Sequence, residues 1–443
     1  MSGAVVGRTL ARLDWSTLDD SARERWLAGL RPPEPAAEVS EILSAVRSGG
    51  DAALLELIER YDGAQLDDPW ADATEIAAAE AAVAPQVADA LDDAIRAVET
   101  FHAAQASRLR SAQPVETRPG VRAWRRFVPL RTVGGYVPGG RAALASSVVM
   151  LGVPALLAGV DELIVASPPG RDGKIAPAIL LAAGKVGVRR VLKAGGAQAI
   201  AALAYGTESV PAVDRIFGAG GPWVTAAKRA VSTEVAIDLP AGPSECVVLA
   251  DGQANPLWVA HDLLAQAEHG PDSVAVLVTD DAAVADAVES ALPRAAAGLA
   301  TGDMALDTLR RLGVLVIVPT LGDGLEVIER VAPEHVSLQC AGAGELAERV
   351  RSAGAVFVGG WTPVAAGDYA TGTNHVLPTG GAARAWSGVG VEAFGRWVTV
   401  QEATAEGVRG LAATVRALAQ AEGLPAHAAS VEARVASSAE ESK

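Results

Sequence analysis

Residues 162–206 read ELIVASPPGRDGKIAPAILLAAGKVGVRRVLKAGGAQAIAALAYG, and their alternation decides the fold class. ELIVAS (162–167) is a short apolar run of buried-strand type, halted by Pro-Pro-Gly. A helical stretch follows over about 176–186, then RRVLKA as a second strand and GGAQAIAALAYG as a second helix. Short apolar strands alternating with helices are the mark of βαβ units and a parallel sheet. After PAGPSE (240–245) the same alternation resumes: CVVLAD, a helix from Pro256, VAVLVTD, another helix, VLVIVP, a helix ending at APEH, and AVFVGG.

Working outward, residues 36–110 show apolar positions at helical spacing and predict amphipathic surface helices. Strand-like pieces broken by glycine begin near Arg122, and an apolar helix is expected over 146–157. The predicted fold is α/β, with two Rossmann-like domains of incomplete, parallel-sheet type, the second inserted in the first. The expected boundaries are a helical N-terminal segment (1–34), a discontinuous first domain (35–134 and 246–389), a second domain (135–245), a C-terminal helical arm (390–435) and a disordered tail (436–443). The arm has too little apolar content for a core of its own, so it packs on another surface. No full G-x-G-x-x-G fingerprint occurs, and the nearest match, Gly218-Ala219-Gly220-Gly221, runs into Pro222 and Trp223.

With 443 residues, half of them hydrophobic, the chain can bury a large core. Its 37 basic and 53 acidic residues give a net charge of -16 without a basic block, which argues against a nucleic-acid partner. The two cysteines, Cys246 and Cys340, are isolated and form neither a disulfide framework nor a zinc motif. The start of the sequence lacks secretory features, and the longest apolar run, 148–160, is too short to span a bilayer and contains Pro154. The expectation is a cytoplasmic protein with no membrane partner.

In PLWVAHDLLAQAEHGPDS (256–273), Gln266 and His269 stand three residues apart at a helix end, share a face, and can grip one small object such as a metal ion. Two donors do not complete a zinc site, so others must come from distant segments. Glu334-His335 in APEHVS pairs a carboxyl with an imidazole, the groups used for acid/base work. Asp368 and His375 lie on the Gly- and Thr-rich loop GDYATGTNHVLPTGG. Plainer readings stand beside these: a capped helix end for Glu334-His335, a turn-rich surface loop for 367–381. Ser244 lacks a nucleophile elbow and reads as a hydrogen-bonding or turn residue.

Seven segments then fall in order: YVPGG (136–140), GGAQAIAALAYGTESVPAVDRIFG (195–218), AGPSE (241–245), DLLAQAEHGPDS (262–273), APEH (332–335), GDYATGTNHVLPTGG (367–381) and AEGLPAH (421–427). Together they resemble the histidinol dehydrogenase family over roughly residues 35–435. The resemblance implies a zinc- and NAD-dependent oxidation of L-histidinol to L-histidine through L-histidinal, two NAD being reduced. It implies Gln266, His269, Asp368 and His427 as zinc ligands, the last supplied by the other subunit of a homodimer through the exchanged arm. Glu334 and His335 match the acid/base pair, and Ser244, His375 and Glu422 match substrate-binding positions alongside the four ligands and His335. Tyr136 and Gln198 match NAD contacts, which puts NAD on the 135–245 domain. The family usually has GPGN where this chain has GAGG, so Gly221 stands in place of a cofactor-contacting asparagine. Alternatives are a zinc- and NAD-dependent dehydrogenase of the same fold acting on another amino or sulfonated alcohol, and a non-enzymatic small-molecule binding protein. A cysteine-based aldehyde dehydrogenase fits poorly, since neither cysteine has a catalytic setting.

Overall fold

The computed structural model describes residues 9–31, 35–109, 113–139, 143–240 and 242–440. Gly140 of YVPGG, Ala241 of AGPSE and residues 441–443 of the tail lie outside them. In chain order the elements are β1 (Ala11–Asp14), α1 (Asp20–Gly29), α2 (Ala36–Leu57), α3 (Ala73–Ala82), α4 (Pro85–Leu109), β2 (Val115–Arg118), β3 (Val121–Pro129), β4 (Thr132–Tyr136), α5 (Ala145–Ala158), β5 (Glu162–Ser167), α6 (Pro177–Lys185), β6 (Arg190–Lys193), α7 (Gly196–Tyr205), β7 (Arg215–Phe217), α8 (Pro222–Val231) and β8 (Ala236–Ile237). There follow β9 (Glu245–Ala250), α9 (Pro256–Ala267), β10 (Val274–Thr279), α10 (Ala282–Ala296), α11 (Gly302–Leu312), β11 (Gly313–Ile317), α12 (Leu321–Val331), β12 (His335–Gln339), α13 (Ala343–Ala347), β13 (Ala355–Val358), α14 (Val364–Tyr369), β14 (Gly395–Ala403), α15 (Ala405–Ala421) and α16 (Pro425–Glu440).

Two parallel sheets carry the fold. The first has the order β1-β11-β10-β9-β12-β13 and the second β6-β5-β4-β7-β8. In the second sheet the chain starts at the middle strand β4, winds to the β6 edge, then returns to the other side; in the first, β9 to β13 do the same from β9, with β1 added at the edge beside β11, which is the doubly wound arrangement. Every residue of β9 and β10 is buried, as parallel strands covered on both faces require. Alternate residues of β9 serve two cores: Cys246, Val248 and Ala250 face α9, α10 and α11, while Val247 and Leu249 face α12 and Trp15.

The domain boundaries need correction. Helices α2 and α4, assigned from the sequence to the first domain, cover opposite faces of the second sheet, α2 on α7 and α8, α4 on α5 and α6. An amphipathic pattern shows that a helix has an apolar face without showing which sheet receives it. The 1–34 segment likewise does not stand apart, because β1 pairs with β11 at the edge of the first sheet. Residues 436–440, expected to be disordered, continue α16.

The arm also differs from an all-helical reading. Gly395–Ala403 forms β14, which pairs antiparallel with β3, and β2 completes a three-stranded ribbon. The β-branched residues of RWVTV favour the strand. The helices α15 and α16 then form a hairpin held by an Arg416–Glu432 ion pair at 2.6 Å. Just before β14, Phe394 stacks on Phe217 with ring centroids 4.1 Å apart and planes 7° from parallel, both rings fully buried. That contact anchors the root of the arm to the second sheet. Phe394→Ala should therefore lower stability by about 3–5 kcal/mol, read from urea unfolding.

Candidate active site

The two sheets use opposite ends to build one cavity. At the end of the second sheet, Pro138 follows β4 and Ala219 follows β7, at the carboxyl ends of neighbouring strands where the order reverses. This is the usual ligand crevice of a doubly wound sheet. The first sheet contributes its amino ends: Ser244 precedes β9, Glu334 precedes β12 and His335 is the first residue of β12. A cavity of about 90 Å³ between them is lined by Ser244, His269, Glu334, His335, Asp368 and His375 together with Ser147, Pro138 and Ala219.

Local backbone explains how Glu334 and His335 arrive there. Helix α12 is ended by Ala332 at φ 50°, the one non-glycine residue with positive φ among those described, and Pro333 follows. Left-handed backbone at alanine costs about 1–2 kcal/mol, a local strain of the kind found where a fold fixes functional groups. Register then locks the pair: His335 lies opposite Cys246 of β9 and Ala355 of β13. The Glu334 carboxylate accepts the Glu245 amide at 3.2 Å and a hydrogen bond from the Ser244 side chain.

Burial dominates the electrostatics. It pushes the Glu334 carboxyl well above the usual range, and neighbouring Glu245 and Asp368 push the same way. Burial, helped by the charges of His269 and His375, holds His335 down at about 3. The two groups lie 3.7 Å apart with both shifts disfavouring a charged pair, and His335 Nδ1 has no partner. His375 is lowered to about 4, again chiefly by burial, and its Nε2 lies 3.2 Å from Ser147 Oγ on α5. Its loop is pinned by Asn374, which donates to Met150 O at 2.7 Å.

Beside this pair lies a set of donors suited to a metal. Gln266, in the last turn of α9, is 2% exposed, and neither its Oε1 nor its Nε2 has a partner. An amide buried in that state costs about 1–3 kcal/mol unless a ligand is its missing partner. His269, just past the helix end, has Nδ1 3.0 Å from Ala265 O. A carbonyl only accepts, so Nδ1 carries the proton and Nε2 is left as the lone-pair donor. Asp368, at the end of α14, is raised by burial and drawn down by the charge of His269. An amide oxygen, an imidazole and a carboxylate are donor types that suit a divalent zinc ion, whose tetrahedral shell takes four. Among the described residues no three of His, Cys, Asp and Glu group to hold a metal by themselves.

The other sequence-derived candidates lie apart from the cavity. His427, near the start of α16, and Glu422, the C-cap of α15, are exposed on the arm. Tyr136, Gln198 and Gly221 surround the carboxyl ends of the second sheet without lining the cavity. Tyr136 Oη accepts the Gly196 amide at 3.3 Å, and its burial pushes the phenol up to about 12. Gln198 Nε2 donates to Asp62 at 3.1 Å. Gly221 is the N-cap of α8, and a Cβ there would meet nothing within 4 Å, so the missing asparagine side chain has open space. Sequence reading missed Ser147, Pro138 and Ala219, which carry no chemical signature. It also missed Glu245, whose place in AGPSE beside Ser244 was the one available hint.

The family model described as histidinol dehydrogenase matches residues 31–435. Histidinol dehydrogenase of Xanthomonas campestris pv. campestris (strain 8004) is 47% identical over 430 residues, covering 96% of this chain and 98% of that protein. The enzyme of the same name from Pectobacterium atrosepticum is 46% identical over 403 residues, 90% of this chain and 89% of its own. Among solved structures, histidinol dehydrogenase from Elizabethkingia anophelis superposes with a TM-score of 0.90 at 36% identity, covering 97% of this chain and 99% of that one.

Glu245 supplies a test of the burial argument. It is buried, accepts the Gly380 and Gly381 amides, keeps one oxygen without a partner, and is raised to about 7, chiefly by desolvation. Because its folded pKa lies above the ordinary 4.5, the stability it contributes is present at low pH and lost as pH rises from there through about 7. In Glu245→Gln the fall in melting temperature between about pH 5 and pH 8 should be shallower than in the unaltered protein. Equal slopes would contradict the assignment.

Proposed function

The chain belongs to the histidinol dehydrogenase family of oxidoreductases, and from that premise we propose that it oxidises L-histidinol to L-histidine with two NAD and one zinc ion per subunit. The observation that carries this reading is the buried, unpartnered Gln266 amide three residues before His269, which lines one cavity with Asp368 and the Glu334-His335 pair. Gln266, His269 and Asp368 would hold the zinc, with His427 of the partner subunit in a homodimer as the fourth ligand. Zinc there would supply a fixed positive charge that orients the substrate nitrogens and favours the ionised form of nearby carboxylates. NAD, at the carboxyl ends of the second sheet near Tyr136, Gln198 and Gly221, would accept the hydrides.

The chain's own groups divide the proton transfers. Ser244 and His375, both lining the cavity, and the partner's Glu422, carried on the exchanged arm, bind the polar groups of the substrate. His335 is neutral and has an unpartnered nitrogen, so it takes the hydroxyl proton as the first hydride leaves the carbinol carbon and the aldehyde forms. Glu334, once ionised, takes a proton from the water that adds to the aldehyde. The second hydride leaves this anionic adduct, which becomes the carboxylic acid and then loses its proton to give the carboxylate.

The test is the stoichiometry of a zinc-supplied assay. Two NADH per L-histidinol consumed are expected, and Glu334→Gln should slow aldehyde oxidation more than alcohol oxidation. One NADH, or equal slowing of both steps, would overturn this division of roles. The shared site is tested by subunit mixing: His427→Ala and His269→Ala should each be inactive alone. Co-refolded together they should regain about a quarter of the activity, because half of the dimers are mixed and each of those carries one intact site. No recovery would place His427 outside the partner's site.

A further inference from the structure

The second sheet holds one ion pair that the chemistry above does not use. Lys228 of α8 and Asp238, just after β8, are 1% and 0% exposed at the side chain and meet at 2.5 Å. Taking two charges fully out of water costs several kcal/mol per ion, and apolar residues of similar size often do as well or better. What this pair grips is therefore informative. Lys228 Nζ also donates to Gly218 O at 2.6 Å, and Asp238 accepts the Gly218 amide at 2.7 Å and the Leu239 amide at 2.6 Å. Both backbone groups of Gly218 are thus held by opposite ends of one ion pair, and an apolar replacement would leave them buried without partners. Neither neighbouring element needs the pair to form, for β8 has its own ladder to β7 and α8 its own apolar face in the core.

Gly218 opens the loop 218–221 at the point where the strand order reverses. Its φ is 106°, and a Cβ on it would lie 2.1 Å from Tyr136 O, so the loop passes directly against the end of β4. One residue on, Ala219 lines the catalytic cavity; three residues on, Gly221 starts α8. The loop thus runs from the end of β4, along the edge of the cavity, to the start of α8. From this geometry we infer that Lys228 and Asp238 are positioning residues that preset the 218–221 loop as the wall on which the nicotinamide cofactor rests. Their part is to fix the distance between that cofactor and the acid/base pair on the other sheet. The inference rests on the functional reading above, in which NAD sits near Gly221 and takes the hydrides directly from the substrate in the cavity.

The test is the double variant Lys228→Met/Asp238→Asn, which removes both charges together and leaves no buried ion unpaired. The expected result is a KM for NAD raised about tenfold or more, or a kcat lowered to a similar extent with a larger primary isotope effect from carbinol-deuterated histidinol. Zinc content and the KM for histidinol should stay unchanged. Unaltered kinetics would overturn the inference, and so would zinc, histidinol and NAD affinities falling together, since that is the pattern of a general loss of structure. Hydrogen exchange of the 218–221 amides in the unaltered protein is independent of the variant's folding. A preset loop exchanges slowly without NAD and is little changed by it, whereas a loop ordered only by NAD contradicts the inference. If the unaltered protein fails to oxidise histidinol, the functional reading falls by itself, and slow or fast exchange still decides whether the ion pair presets the loop.

Discussion

Two parallel sheets meet end to end, the carboxyl ends of one against the amino ends of the other, and the chemistry depends on that meeting. A doubly wound sheet offers a crevice at its carboxyl edge because the helices on either side diverge there. The second sheet uses that edge in the ordinary way. The first sheet turns its amino edge to the same cavity, so its functional groups sit where strands begin: Ser244 before β9, Glu334 and His335 at β12. Strand starts are rigid when neighbouring strands lock their register, as β9 and β13 do on either side of β12. The arrangement gives fixed side chains without a long loop to order.

Such rigidity comes with burial, and burial sets the proton states. In each of Glu334, His335, His375 and Glu245 desolvation is the largest cause of the shift, ahead of any charged neighbour. Burial thus disfavours the charged form of each of these groups. A cation or a charged substrate therefore enters a site in which its field is weakly screened. That agrees with a role for these groups as proton carriers whose state changes on loading.

Legibility in the sequence followed burial on both faces. ELIVAS was read as a strand over 162–167 and is β5 residue for residue, because a strand covered on both sides is apolar throughout. β14 was not read, since a half-exposed ribbon whose partner β3 lies some 270 residues earlier leaves only a weak alternation. The landing sites of α2 and α4 were misassigned for the related reason that tertiary choice has no local signal. Within the site, residues with distinctive chemistry stood out, His269, Glu334, His335, Asp368 and His375 among them, and these line one cavity. Lys228 and Asp238 did not stand out, because a charged residue in a helix or after a short strand reads as a solvated surface group until its burial is known.

The arm brings these strands of argument together. Its two helices contact chiefly each other, and they leave Leu418 and Leu424 exposed, at 57% and 41%, close to Glu422 and His427. In the body of the chain the buried Gln266 amide lacks a partner, and with His269 and Asp368 it offers three donors where a tetrahedral zinc shell takes four. The exposed apolar surface and the incomplete shell are separate defects of one isolated chain, since nothing in the packing of the arm depends on the amide of Gln266. A second copy whose arm brings His427 to the shell would relieve both, burying the leucines as it completes the coordination. The coupling would be thermodynamic: a metal that binds only the assembled site stabilises the assembly by the same free energy with which assembly strengthens its own binding. On that reading zinc and dimerisation are linked through the Gln266 helix end, and removing either weakens the other.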